Sequence, residues 1–183
     1  MHFEKKYHLV PFSPVSDADV YCQLIVDKEG ITLDYSSNRG TKSLLVPQKE
    51  TKDFRQWDLW DHTCFEFFIK NRSDDWYLEF NFSPSGAWNA FYISSYRQNE
   101  GEYGDLDQLC VSSRVNEETI ELISVIPFDK IPLFKAQDFT EGELEIGITS
   151  VLERSDKTLE FWALEHPGEE PDFHRGMQPL FAH

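Results

Sequence analysis

Apolar and polar positions alternate along most of the chain, and the alternation is densest from Asp58 to Ile93. Three aromatic-rich runs there are cut by two turn clusters. The pattern predicts strands over Thr63–Ile69, Trp76–Ser83 and Ala87–Ile93, with turns at Asn71–Asp75 and Ser83-Pro84-Ser85-Gly86. A period of two sorts each strand into faces. Thr63, Phe65, Phe67 and Ile69 share one face of the first strand; His62, Cys64, Glu66 and Phe68 share the other. In the second, Leu78, Phe80 and Phe82 point to a core and Tyr77, Glu79, Asn81 and Ser83 point away. In the third, Trp88, Ala90 and Tyr92 oppose Ala87, Asn89, Phe91 and Ile93. The polar faces of the first two strands are therefore expected to meet across their hairpin.

The same grammar continues outward. Val20–Val26 and Ile31–Tyr35 read as strands around an Asp27–Gly30 turn, and Leu44–Val46 as a short strand stopped by Pro47. Leu109–Val115 and Thr119–Ile126 form a predicted hairpin, closed by Pro127-Phe128; Glu143–Glu153 and Leu159–Leu164 form another. Residues 48–58 read as a charged loop, Arg97–Asp107 as a Gly- and acid-rich loop, Ile131–Phe139 as one short helical turn, and His166–His183 as a surface tail. Short strands at regular spacing predict an all-β, antiparallel two-sheet β-sandwich of eight to ten strands, jelly-roll or immunoglobulin-like. No repeat or linker interrupts it, so residues 1–183 are expected to form a single domain.

Composition narrows the function. The 183 residues are 40% hydrophobic and 15% aromatic, far from a disordered composition. The net charge of -16 argues against binding of nucleic-acid phosphates through a broad basic face. Cys22, Cys64 and Cys110 are odd in number and lack metal spacing, so neither a disulfide framework nor a zinc site is expected. The N-terminal stretch lacks an apolar signal region, and no run approaches the roughly 18 apolar residues of a membrane helix. The expectation is a cytoplasmic protein with no membrane partner.

Several of these residues carry a family resemblance. Leu59-Trp60-Asp61 through Glu66-Phe67-Phe68, then Tyr77-Leu78-Glu79-Phe80-Asn81-Phe82-Ser83-Pro84-Ser85-Gly86 and Trp88, resemble the DOMON-like superfamily, and more closely its branch related to family-nine carbohydrate-binding modules. Ile123-Ser124-Val125-Ile126-Pro127-Phe128 and the Gly147–Glu153 strand followed by Trp162 resemble later parts of the same pattern. Pro171-Asp172-Phe173-His174 is similar to the close of bacterial DOMON-like proteins. The resemblance spans roughly residues 20–180. It implies a jelly-roll-like sandwich that binds a sugar or a haem, with Trp60 and Glu66 at the sugar-binding positions of the first motif. Haem-binding relatives use a Met with a His; Met1 and Met177 lie on no predicted strand, so no haem cofactor is expected.

The candidate ligand-binding residues are Trp57, Trp60, His62, Glu66, Glu79, Asn81, Arg97 and Arg154. A tryptophan face can stack on a pyranose while excluding water. Glu66 sits among Phe and Ile, where an unpaired carboxylate is expensive; it either accepts ligand hydroxyls or pairs with Arg97, Arg114 or Arg154. Asn81 can both donate and accept. Arg97 and Arg154 each offer a planar fork, or a surface salt bridge. Trp162 reads as core, and Trp88 as core or ligand platform. His62, Cys64 and Glu66 alternate on one face, too widely spaced for a direct Cys–His contact. The loop Asn99–Asp107 has oxygens suited to calcium but no EF-hand pattern, and reads as solvated. His174 lies in a segment that could fold over the sandwich mouth as a structural closure.

These features predict a non-catalytic ligand-binding module for a saccharide or glycosylated small molecule, with no catalytic or metal residues. Two other readings stay open. One is a sugar-modifying enzyme using Glu66 and Glu79 as acid and base with His62 nearby. The other is a protein-interaction sandwich with no small ligand, whose partner the sequence does not name.

Overall fold

Burial with period two shapes the first half of the molecule, and burial on both faces of the strands marks the second. The structure, a computed structural model, describes residues 2–14, 18–50, 54–134, 136–139 and 143–180. Thirteen strands occur among the described residues. They are β1 (Phe3–Pro11), β2 (Val20–Val26), β3 (Gly30–Ser37), β4 (Phe54–Arg55), β5 (Cys64–Asn71), β6 (Tyr77–Phe82) and β7 (Ala87–Ser95). There follow β8 (Gln98–Glu102), β9 (Cys110–Val115), β10 (Ile120–Pro127), β11 (Leu144–Glu153), β12 (Leu159–Ala163) and β13 (Gln178–Pro179).

The predicted two sheets of eight to ten strands are in fact one hydrogen-bonded path. It runs β4-β7-β6-β5-β11-β12-β1-β2-β3-β10-β9, with β8 on β7 and β13 on β11. The join is β1. Its Phe3–Leu9 pair with β2, and its Val10 and Pro11 pair with β12. The long sheet curls so that its two halves share one core. Tyr35 and Phe65 meet across that core at 4.9 Å between ring centroids, and the Tyr35 hydroxyl donates to the Glu66 carbonyl at 2.6 Å.

The predicted parities of β5, β6 and β7 hold. Phe65, Phe67 and Ile69, Leu78, Phe80 and Phe82, and Trp88 and Ala90 all enter the shared core. Trp162 joins them. Gly86, with a left-handed φ of 94°, completes the β6–β7 turn, and its N–H reaches the Ser83 carbonyl at 3.0 Å.

Four expectations need correction. Leu44–Val46 contributes one isolated bridge, Leu44 to Arg154, because Pro47 offers no ladder donor. The loop predicted over 48–58 contains β4, which pairs in parallel with β7; residues 51–53 fall outside the described residues. The loop predicted over Arg97–Asp107 opens with β8. The tail does not wander over the surface: β13 pairs with β11 at Glu145 and Ile146, beside the end of β12. All three cysteines are free thiols, with Cys22 and Cys64 buried and Cys110 exposed.

The outward face of β5–β7 is what makes the second half unusual. Phe68, Tyr77, Phe91 and Ile93 are buried there in a second apolar cluster, against Trp60, Phe173 and Met177. The tail supplies the last two. It lies close: a Cβ on Gly147 would stand 3.1 Å from the Phe68 ring and 3.3 Å from Met177. No helix among the described residues is long and apolar enough to cross a membrane.

Candidate functional site

A cavity of about 450 Å3 opens between this outward face and the tail. β5 supplies Glu66 and Phe68, β6 supplies Glu79, and β7 supplies Ile93. β11 and β12 supply Val151 and Phe161. The wall is completed by Trp60 and Asn99, by Arg97, and by Pro171, Phe173 and His174 of the tail.

Local structure sets each of these groups. Asp58 takes a left-handed φ of 60°, a conformation Asp tolerates, and starts a one-turn 3-10 helix over Leu59–Asp61. Leu59 anchors the turn beside Cys64 and Ala87. Trp60 then lies edge-on to Phe91, at 5.8 Å and 65°. Trp57, 48% exposed, meets the same Phe91 ring at 4.9 Å. Antiparallel register brings Glu66 opposite Asn81 and Phe68 opposite Glu79. The two carboxylates are thus diagonal neighbours on one face.

Both carboxylates are nine-tenths buried or more, with Glu66 at 2% and Glu79 at 8% exposure. No Lys or Arg among the described residues pairs with either one. Glu66 accepts from the Thr149 hydroxyl at 3.0 Å and from the Cys64 thiol at 3.5 Å. Glu79 accepts from Asn81 Nδ2 at 2.9 Å. Burial pushes both acids well above the usual carboxylate range, and the charge of Glu79 raises Glu66 further. Asn81 is fully buried on the same side of the sheet, and its Oδ1 has no donor.

The tail side of the cavity is held by a polar network. Tyr77 shares a hydrogen bond with His174 Nδ1 at 2.6 Å and accepts one from the Arg97 N–H at 3.3 Å. Burial pushes the Tyr77 phenol up to about 12, so it keeps its proton and donates to His174. Burial, with the Arg97 charge beside it, takes His174 down to about 4 against the opposing pull of Asp172. Burial thus favours the neutral ring, and with Tyr77 as donor its proton falls on Nε2. Arg97 itself sits at a left-handed φ of 58° in the β7–β8 turn.

Of the eight residues singled out from sequence, Trp60, Glu66, Glu79 and Arg97 line this one cavity. Asn81 stands beside Glu79, and Trp57 borders Trp60 through Phe91. His62 and Arg154 lie elsewhere. His62 points out to Glu153 at 2.8 Å, and Arg154 pairs with Glu160 at 3.0 Å. The arginine partners considered for Glu66 do not reach it: Arg97 pairs with Asp172, and Arg114 with Glu121. Among the described residues no group of three or more His, Cys, Asp or Glu is placed to hold a metal ion. Sequence reasoning missed Phe161, Thr149 and the tail's Phe173 as site residues. The strand parity of Thr149 and Phe161 was readable, but that β11 lies beside β5 was not, and Phe173 lies on no strand.

No protein-family profile matches the chain, and no curated protein does. Solved structures do resemble it. A protein of Bacteroides uniformis ATCC 8492, named as a candidate carbohydrate-binding protein, superposes with a TM-score of 0.69 over 94% of this chain and 83% of its own, at 17% identity. A family-9 carbohydrate-binding module from Caldicellulosiruptor kristjanssonii, solved with cellotriose, gives 0.58 over 88% and 72%, at 8% identity. A glucose complex of a family-9 module from the same organism gives 0.51 over 82% and 69%, at 9% identity. At such identities the likeness is one of fold.

Proposed function

We propose that the protein is a non-catalytic carbohydrate-binding module, related in the DOMON-like manner to family-9 modules, and that the cavity under the tail receives a sugar ring. One observation carries this reading: buried hydrogen-bonding groups and aromatic faces converge on a single cavity. Glu66, Glu79, Asn99 and His174 Nε2–H offer acceptors and donors to hydroxyls. Trp60, Phe68, Phe161 and Phe173 offer apolar faces to ring C–H groups. Such a division of labour is what fixes a polar ligand in an otherwise apolar pocket. The neighbours solved with cellotriose and glucose lend the reading a precedent in fold.

Calorimetric titration with glucose, cellobiose and cellotriose tests it. Saturable binding that weakens about tenfold in Trp60→Ala, with folding intact, is the expected result for loss of one stacking face. No heat from any saccharide, amino sugars included, overturns it. A second reading has its own support, because two buried carboxylates with raised proton affinity are also what acid–base chemistry on a sugar derivative uses. It would run on Glu66 and Glu79 alone, since His62 faces away from the cavity. Turnover lost in Glu66→Gln, with binding retained, would select it.

A further inference from the structure

We propose that the sugar bound here carries a free amino group, so that its ammonium sits over Glu66 and Glu79, beside which Asn81 stands. This inference rests on the carbohydrate-binding reading and names the class of saccharide.

Charge around the cavity is the first argument. Among the described residues Arg97 is the one Lys or Arg in its wall, and Asp172 pairs with it at 3.3 Å. His174 is neutral. What remains is two acids, nine-tenths buried, with no counter-cation among the described residues, and burial keeps protons on them. A neutral sugar leaves the pair in that form. An ammonium can displace a proton and pair with the carboxylate so formed, inside a low-dielectric site where the attraction is far stronger than in water.

Hydrogen-bond bookkeeping is the second and independent argument. Asn81 is fully buried on the cavity side of β6, gives its Nδ2 to Glu79, and leaves Oδ1 without a donor. Glu79 receives that single hydrogen bond and has one oxygen to spare. With the acids ionised, the floor is rich in acceptors and short of donors. A hydroxyl brings one donor and asks for partners of its own; an ammonium brings three donors and no acceptor. The net charge of -16 adds a long-range attraction for cations.

The test compares three trimers at one pH and low salt: the free-amine glucosamine trimer, its N-acetylated form, and cellotriose. Putrescine serves as a cation without a sugar ring. We expect the amine trimer to bind about tenfold or more tighter than the other two, as one buried charge-assisted contact allows. Glu79→Gln should abolish that preference, so that in the variant the amine trimer binds no tighter than cellotriose. Titration of the wild-type protein in two buffers of different ionisation enthalpy gives a readout that needs no variant. The amine trimer should release protons from the acid pair, and cellotriose should not. Equal or tighter binding of cellotriose or of the N-acetylated trimer overturns the amino-sugar assignment and leaves the carbohydrate reading standing. Binding of putrescine alone, or of nothing, overturns both.

Discussion

Arg97 and Asp172 stand 3.3 Å apart, and their ion pair ties the tail to the β7–β8 turn at the mouth of the cavity. Asp172 is the hub of this closure. It also accepts from the Tyr96 hydroxyl and from the His174 N–H, and Arg175 lies 3.5 Å away. Burial works against its charge, but the Tyr96 hydroxyl and the Arg97 guanidinium hold its carboxyl below the ordinary range. Through it Phe173 and His174 are fixed as a wall. Asp172→Ala should cost roughly 1–2 kcal/mol, less than a buried pair because Arg97 is half exposed. The larger effect should be local. Hydrogen exchange over residues 171–178 should accelerate well beyond the rest of the chain, and ligand should bind more weakly. Unchanged exchange there would mean that β13 alone holds the tail.

The acid pair makes a signed prediction about pH. Glu66 and Glu79 are raised to about 8 and about 7, against an ordinary value of about 4.3. The folded state then holds more protons than the unfolded state between those limits, so stability must fall as pH rises through them. Their contribution is complete below the unfolded value and gone above the folded ones. His174 acts in the opposite sense between about 4 and its ordinary 6.5, where the unfolded chain takes the proton. The clean window is therefore pH 6.5–8. Tm should decline across it, and Glu66→Gln should flatten the decline and be the more stable protein at pH 8. A wild-type Tm that rises across the window would show that the pair is charged when folded.

Much of this was readable from residues, and the misses have physical causes. The β5–β6–β7 block was legible because apolar residues hold every second position of each strand and because Ser83-Pro84-Ser85-Gly86 announces its turn. β1 escaped because Glu4, Lys5 and Lys6 break the apolar rhythm between Phe3 and Tyr7, although Lys5 occupies an inward-parity position. That one strand joins the two expected sheets into one. β8, with Asn99, Glu100 and Gly101, has almost no strand propensity and exists because β7 offers it an edge. That Glu66, Glu79 and Asn81 share one face followed from parity within a hairpin, which is local. His62 shares that parity and still misses the cavity, since it precedes β5 and turns to Glu153. Thr149 and Phe161 needed the β5–β11–β12 order, which no short pattern encodes.

Tyr77 offers a finer probe of the wall. Its hydroxyl joins Arg97 to His174, and Tyr77→Phe removes only that oxygen. A loss of about 1 kcal/mol is expected, with His174 Nδ1 left without its donor. Nitrogen NMR of the imidazole reads the consequence directly. The wild-type ring should show protonated Nε2 and bare Nδ1, and the variant a mixture of tautomers. A wild-type spectrum with protonated Nδ1 would reverse the hydrogen bond to Tyr77.

The most buried ion pair among the described residues lies away from the cavity and predicts a contrast between two arginines on one glutamate. Arg39 Nη1 reaches both oxygens of Glu160 at 3.0 and 2.9 Å, and its Nε reaches the Ser43 hydroxyl at 3.3 Å. Arg39 and Glu160 are 9% and 8% exposed, whereas Arg154, the second partner at 3.0 Å, is 46% exposed. Arg39→Ala leaves a buried carboxylate with only a solvated neighbour and should cost about 3–5 kcal/mol. Arg154→Ala should cost no more than about 1 kcal/mol. Replacing the pair with Arg39→Met and Glu160→Leu together should recover most of the loss, because the desolvation of two charges is then avoided. Urea midpoints at constant m-value measure all three. Equal and small effects of the two single variants would mean that water reaches Glu160 as freely as it reaches Arg154.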